Sequence, residues 1–196
     1  LQPGEEAPAH QPQLLPGQVK LKNINGDDKL NEEDMVLIGR NDPKFIFGFN
    51  NNFSYKNFDL NIYMYGQVGK IAGANSYYDA WGSYGNRIKL GQNVPVSFKD
   101  AWSSDNQTST RPSFIESAYG TGDLFLQKIS FLRIRNITLG YTVPVSKSIC
   151  NRLRVYADVN NPCVWTNWKG QDPETDSNTN AYPNVTSFSI GVDISF

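Results

Sequence analysis

The chain is poor in residues that carry covalent or metal chemistry. Its 196 residues include one histidine and two cysteines. One His rules out a multi-histidine metal centre within the chain. Cys150 and Cys163 bracket a predicted strand. At roughly 3.3 Å per residue they stand about 40 Å apart, beyond disulfide reach. Charge of one sign is also lacking. The formal net charge is -1, which excludes the clustered basic surface that binds nucleic acid. No apolar run approaches the roughly 20 residues of a spanning helix, which leaves a water-soluble protein or a β-barrel. No Gly-rich phosphate loop follows a strand. No Ser or Cys nucleophile elbow is present, and no spacing singles out a carboxylate pair. His10 lies in a Pro-rich opening segment. The chain therefore reads as a non-enzyme.

What is present is aromatic and alternating. Hydrophobic residues make up 39% and aromatics 13%, a balance that suits strands with only one apolar face. The last segment, residues 186–196, puts Phe188, Ile190, Val192, Ile194 and Phe196 on one face. Ser187, Ser189, Gly191, Asp193 and Ser195 fall on the other, because strand side chains alternate with period two. Residues 44–55 and 58–68 alternate in the same way, with Lys56 and Asn57 between them as a tight hairpin turn. Residues 126–143 change phase near Arg135 and Asn136. That change predicts a β-bulge sending Arg133 and Arg135 to the wet side. Residues 152–165 set Leu153, Val155, Ala157 and Val159 against Arg154, Tyr156, Asp158 and Asn160.

The five predicted strands are joined by unequal loops. Strands one and two, and three and four, are linked by short turns. Residues 70–125 and 166–184 are long connections, which compact soluble domains seldom carry. Short turns at one end and long loops at the other fit an outer-membrane barrel. In that arrangement residues 1–43, 70–125 and 166–184 lie outside the cell. Five strands cannot close a barrel, so the chain reads as part of something longer, in keeping with an opening Leu1 rather than Met.

Two polar and aromatic clusters are candidate sites. Residues 23–34 are similar to a calcium loop. Asn23, Asn25, Asp27, Asn31 and Asp34 stand at liganding positions, with the Lys29 carbonyl between them. Asn23 and Asp28 depart from that pattern, and the other reading is an Asn/Asp turn held by its own hydrogen bonds. Tyr77, Tyr78, Trp81 and Trp102 lie in the longest loop. Beside Asn, Asp and Gln they suit contact with a carbohydrate or a partner; the other reading is an interfacial aromatic girdle.

The ordered combination of segments resembles the C-terminal end of the SusC/RagA family of TonB-dependent outer-membrane transporters. The resemblance begins at Pro16-Gly17-Gln18-Val19-Lys20-Leu21-Lys22-Asn23-Ile24-Asn25-Gly26-Asp27. It continues through Asp34-Met35-Val36-Leu37-Ile38-Gly39, Pro43-Lys44-Phe45-Ile46-Phe47-Gly48-Phe49 and Tyr55-Lys56-Asn57-Phe58-Asp59-Leu60. Phe131-Leu132-Arg133-Ile134-Arg135-Asn136-Ile137-Thr138-Leu139-Gly140-Tyr141 is similar to the family's most characteristic strand. Leu153-Arg154-Val155-Tyr156, Tyr182-Pro183 and the terminal strand complete it. Asn160-Asn161-Pro162-Cys163 departs from the family, and its proline implies a broken or ending ladder.

The resemblance implies an all-β fold: the last five antiparallel strands of a 22-stranded transmembrane barrel. Residues 1–43 would be an extracellular loop and residues 44–196 the C-terminal part of the barrel. It implies import of oligosaccharides or peptides across the Gram-negative outer membrane, with a SusD-like surface lipoprotein as lid and TonB engaged through an upstream part. Gly191, Ile194 and Phe196, with Ser189, resemble the C-terminal signal read by the barrel assembly machinery. No cofactor is implied apart from the calcium considered above. The alternatives are a secreted or surface carbohydrate-binding β-sandwich and a non-transporting barrel, either a passive porin or an adhesin.

Overall fold

In the computed structural model, residues 1–73, 90–91, 93, 96–113, 122–124, 126–146, 150–175 and 181–196 are described. The chain divides into two compact units, residues 1–39 with 73–126 and residues 40–72 with 127–196. Five strands form one sheet in chain order: β1 (Phe45–Tyr55), β2 (Phe58–Gly73), β3 (Leu126–Val143), β4 (Arg152–Thr166) and β5 (Ser187–Ser195). No helix among the described residues is long and apolar enough to cross a membrane.

Turn chemistry and alternation fix the register. Lys56, at φ 54, makes the two-residue turn. That turn seats Tyr55 against Phe58 and carries the pairing back to Phe45 and Val68. The pairs Phe49 with Met64 and Phe53 with Leu60 follow. Further along the sheet, Leu139 faces Ala157 and Ala157 faces Ile190; Val155 faces Val192, and Leu153 faces Ile194. Each pair puts apolar with apolar on one side, since opposite residues share a face.

That apolar side is left open. Phe188 is 78% exposed, Ile190 83% and Phe196 87%, and Phe45, Phe49, Phe53, Phe58 and Leu139 are exposed too. Burying a side chain of this size is worth about 1.5–3 kcal/mol, so water is the wrong neighbour for so wide a face. The apolar side chains that are buried lie elsewhere: Leu14 and Ala101 in the first unit, and Ala72, Ile129, Phe131, Cys150 and Trp168 in the second. A sandwich would need a second sheet over this face. The strands of the described residues form a single sheet.

Two local features differ from expectation. β2 continues past Val68 to Gly73 because Gly69 adopts φ +83 and lets the chain bend without stopping. β4 runs through Pro162 to Thr166 instead of ending there. The register shifts between Ile134 and Asn136, so Asn161 and Pro162 stand opposite Arg135 alone. Asn161 takes φ 49, and the proline sits at the bulge, where its missing N–H costs the ladder nothing.

Candidate functional site

The opposite side of the sheet is tied together by polar side chains from every strand. Asn61 Nδ2 donates to Asn50 Oδ1 at 2.8 Å and Asn52 Oδ1 at 2.6 Å, joining β1 and β2. Asp158 on β4 accepts from Thr138 Oγ1 at 2.7 Å and Asn160 Nδ2 at 2.8 Å. Asn136 Nδ2 and Ser189 Oγ donate to it as well. One carboxylate thus links β3, β4 and β5.

Arg154 makes the longest bridge. Its Nε and Nη2 donate to Asp59 Oδ1 and Oδ2 at 2.9 and 2.6 Å, a two-pronged pair. Its Nη1 donates to Asp193 at 3.0 Å. Asp59 is on β2, Arg154 on β4 and Asp193 on β5, so the first contact passes over β3. It can do so because Gly140 lies beneath. A Cβ there would stand 2.5 Å from Arg154 Nη2 and from Asp59 Oδ1. The guanidinium also packs 5.0 Å from the Tyr156 ring centroid. That ring in turn covers Gly191, where a Cβ would collide with it.

Farther along the same strands the connection between β4 and β5 is anchored to β3. Arg133, 3% exposed, donates through Nη2 to Asp172 Oδ1 at 2.8 Å. Arg135 Nη1 donates to Glu174 Oε2 at 3.0 Å and to Asn184 Oδ1 at 3.2 Å. Asp172 Oδ2 accepts the Asn184 N–H at 2.8 Å. Burial pushes the Asp172 carboxyl up. The Glu174 and Asn184 N–H groups and the Arg133 guanidinium outweigh that push and hold it below the ordinary carboxylate value. The register shift lies where the phase change predicts it, and both arginines pair with carboxylates of the connection between β4 and β5.

Of the expected contact and assembly residues, Trp102, Gly191, Ile194 and Phe196 are among the described residues. Tyr77, Tyr78 and Trp81 lie outside the described residues. Trp102 packs over Gly17, which takes φ +83 and whose Cβ would run into the ring; the Trp102 backbone N–H donates to the Arg111 carbonyl at 3.0 Å. Trp102 is therefore partly used as a lid on a tight turn. Gly191 faces Tyr156, and Ile194 faces Leu153; Phe196 follows the strand, exposed.

The oxygens of residues 23–34 are turned to the loop's own N–H groups. Asn23 Oδ1 accepts from Gly26 at 2.6 Å and Asp27 Oδ1 from Lys29 at 2.8 Å. Asn25 Oδ1 accepts from Asp27 at 3.0 Å and Asn31 Oδ1 from Glu33 at 2.7 Å. Asp34 accepts from Ile24 at 2.7 Å and Asn31 at 3.0 Å, bonds that keep its carboxyl below the ordinary value. Gly26, at φ +80, makes the sharp bend. Among the described residues no three His, Cys, Asp or Glu side chains could together hold a metal ion. The arrangement is that of a turn held by its own side-chain to backbone hydrogen bonds.

Sequence reasoning missed the Arg154 bridge, whose partner Asp59 is 95 residues away. The trace it leaves is Gly140, a glycine in the middle of a strand, which marks close approach by another group.

No family model matches the chain. It is 29% identical over 201 residues to TonB-dependent receptor P3 of Formosa agariphila, covering 92% of this chain and 19% of that protein. Against TonB-dependent receptor SusC of Bacteroides thetaiotaomicron it is 27% identical over 180 residues, covering 88% and 17%. The solved structure of the RagAB peptide transporter superposes with a TM-score of 0.70 at 26% identity, over 92% of this chain and 20% of that one. This chain is a relative of the TonB-dependent receptors. It spans about a fifth of the length of the receptors it matches. None of these relatives is named for an enzymatic activity.

Proposed function

We propose that the chain supplies the last five strands of a 22-stranded TonB-dependent barrel. In this reading the open apolar face meets lipid and the hydrogen-bonded polar face lines the lumen of a Gram-negative outer-membrane importer. The observation that carries it is the sheet's two-sidedness: exposed hydrocarbon on one face, hydrogen-bonded polar clusters on the other. Residues 1–43, 70–125 and 166–184 are the extracellular loops, and residues 44–196 belong to the barrel. The loops, with Tyr77, Tyr78, Trp81 and Trp102, form part of the surface for substrate and for a SusD-like lipoprotein lid. Gly191, Ile194 and Phe196 are the signal for the barrel assembly machinery. Oligosaccharides or peptides are the cargo, and TonB acts through the upstream part.

The test uses the full-length receptor in its host. Extraction only with detergent, co-purification of a lipoprotein, and uptake abolished by removing TonB are the expected results. Recovery of the full-length protein in the soluble fraction, or uptake indifferent to TonB, would overturn the reading.

A further inference from the structure

The turn between β1 and β2 places a lysine where glycine is the ordinary residue. Lys56 takes φ 54, a left-handed conformation that is unfavourable for a residue with a Cβ. Among the described residues Asn161 is the only other non-glycine at positive φ, and asparagine tolerates that region. In this turn the asparagine stands next door, at 57, and the lysine takes the strain. We infer that Lys56, with the aromatic rings beside it, is a binding site for the phosphate of an anionic glycerophospholipid. The inference rests on the barrel reading and adds to it a site, a ligand and a leaflet.

The place of Lys56 along the strand sets its depth. The apolar side of β1 runs from Phe45 to Tyr55. At roughly 3.3 Å per residue and a tilt of about 40°, that stretch rises about 25 Å, the height of the lipid-facing band of an outer-membrane barrel. Lys56 follows at once, so its ammonium stands where hydrocarbon gives way to headgroups. This end of the band is aromatic. Tyr55, 72% exposed, is opposite Phe58, and the Phe58 and Tyr141 ring centroids lie 4.7 Å apart. The Asn57 carbonyl accepts the Thr142 N–H at 2.8 Å, which ties the turn to β3.

Charge selects the ligand. Lys56 Nζ lies 5.4 Å from the Tyr55 ring centroid. Among the described residues no carboxylate pairs with it, whereas Arg133, Arg135 and Arg154 each meet one. Asp59 and Asp193, the strand carboxylates toward this end, are on the polar side and held by Arg154. Arg152, exposed on β4, is two strands away from β2 and of the same sign as Lys56. The lysine is thus left without a counter-charge among the described residues. A phosphodiester supplies one negative charge and acceptor oxygens for the ammonium, and its acyl chains lie along Tyr55, Phe58 and Tyr141. A zwitterionic headgroup carries an ammonium of its own, which Lys56 repels. In the barrel reading the short turns are periplasmic, so the lipid belongs to the inner leaflet of the outer membrane.

The experiment is native mass spectrometry of the detergent-solubilised full-length receptor. It is offered equal amounts of phosphatidylglycerol and phosphatidylethanolamine with identical palmitoyl and oleoyl chains. Wild type should retain phosphatidylglycerol in preference. Lys56→Gln should cut that retention about fivefold, the weight of one basic side chain at an anionic surface. Lys56→Arg should stay within about twofold of wild type. Lys56→Gly separates the site from the fold. Glycine takes positive φ freely, so its urea midpoint should equal or exceed that of wild type while phosphatidylglycerol retention falls as in Lys56→Gln. Equal retention of the two lipids, retention of neither, a preference untouched by Lys56→Gly, or a midpoint that falls with it would overturn the site. Displacement of the bound lipid by millimolar inorganic phosphate would overturn the lipid as ligand. Failure of the barrel reading shows separately, as full-length receptor that stays soluble without detergent.

Discussion

Gly140→Ala is the substitution whose effect the structure sets most narrowly. In most strands this change helps, because alanine loses less backbone freedom on folding, by roughly 0.5–1 kcal/mol. Here the new Cβ would stand 2.5 Å from Arg154 Nη2 and Asp59 Oδ1, and 2.6 Å from Arg154 Nε. The two-pronged pair has to lift off the sheet or part. Charge-assisted hydrogen bonds run to about 1.5–3 kcal/mol each in favourable settings. Asp59 is 36% exposed, so water screens the pair and a total of about 1–2 kcal/mol is the better figure. A urea midpoint for the full-length receptor in detergent, read by gel mobility of folded and unfolded barrel, should fall accordingly. The decisive comparison is the same change in an Arg154→Ala background. With the guanidinium gone, Gly140→Ala should turn neutral or stabilising, a reversal of sign that only direct coupling produces. Equal destabilisation in both backgrounds would refute the bridge over β3.

Other outcomes follow from the same geometry. Gly191→Val should drive the Tyr156 ring off β5 and cost about 1–3 kcal/mol by overpacking, seen as faster amide exchange in β5 than in β1. Arg133→Met should strand Asp172 in a buried site and cost about 3 kcal/mol, with the connection between β4 and β5 becoming open to protease while the strands stay protected. The Asp172 carboxyl lies below its ordinary value in the folded state. Its contribution is therefore complete above the unfolded value and is lost as pH falls through the folded one. Trp168 fluorescence should hold steady from neutral pH to about pH 5 and change below about pH 4; a change centred above pH 6 would contradict this. Added calcium should leave the receptor's melting temperature where it is, because the oxygens of residues 23–34 are already engaged. A shift of several degrees removed by Asp27→Ala would show a cation site.

Alternation along the strands and the lengths between them were enough to place all five elements, since a period of two needs no tertiary information. The bulge near Arg135 was legible for the same reason: a phase change in an otherwise regular strand has few physical solutions. Pro162 misled because its missing N–H was weighed against a regular ladder, whereas the register shift had already removed the partner. The polar network was only half legible. Alternation put Asp59 and Arg154 on the wet side, but it could not say that a side chain would cross an intervening strand. Arg133 and Asp172 meet 39 residues apart, and Asp172 sits in a connection with no periodicity to position it. In residues 23–34 the oxygen spacing is visible in sequence, and the hydrogen bonds those oxygens make within the loop are not.

The central claim is that the apolar side of this sheet faces hydrocarbon and the polar side faces water. Site-directed spin labelling of the full-length receptor in lipid vesicles tests it at single-residue resolution, with Cys150 and Cys163 replaced and one new cysteine at a time from position 187 to 194. Labels at Phe188, Ile190, Val192 and Ile194 should relax with dissolved oxygen and be shielded from an aqueous nickel chelate; labels at Ser187, Ser189, Gly191 and Asp193 should show the reverse. Nickel access at all eight positions, or the opposite alternation, would contradict the account.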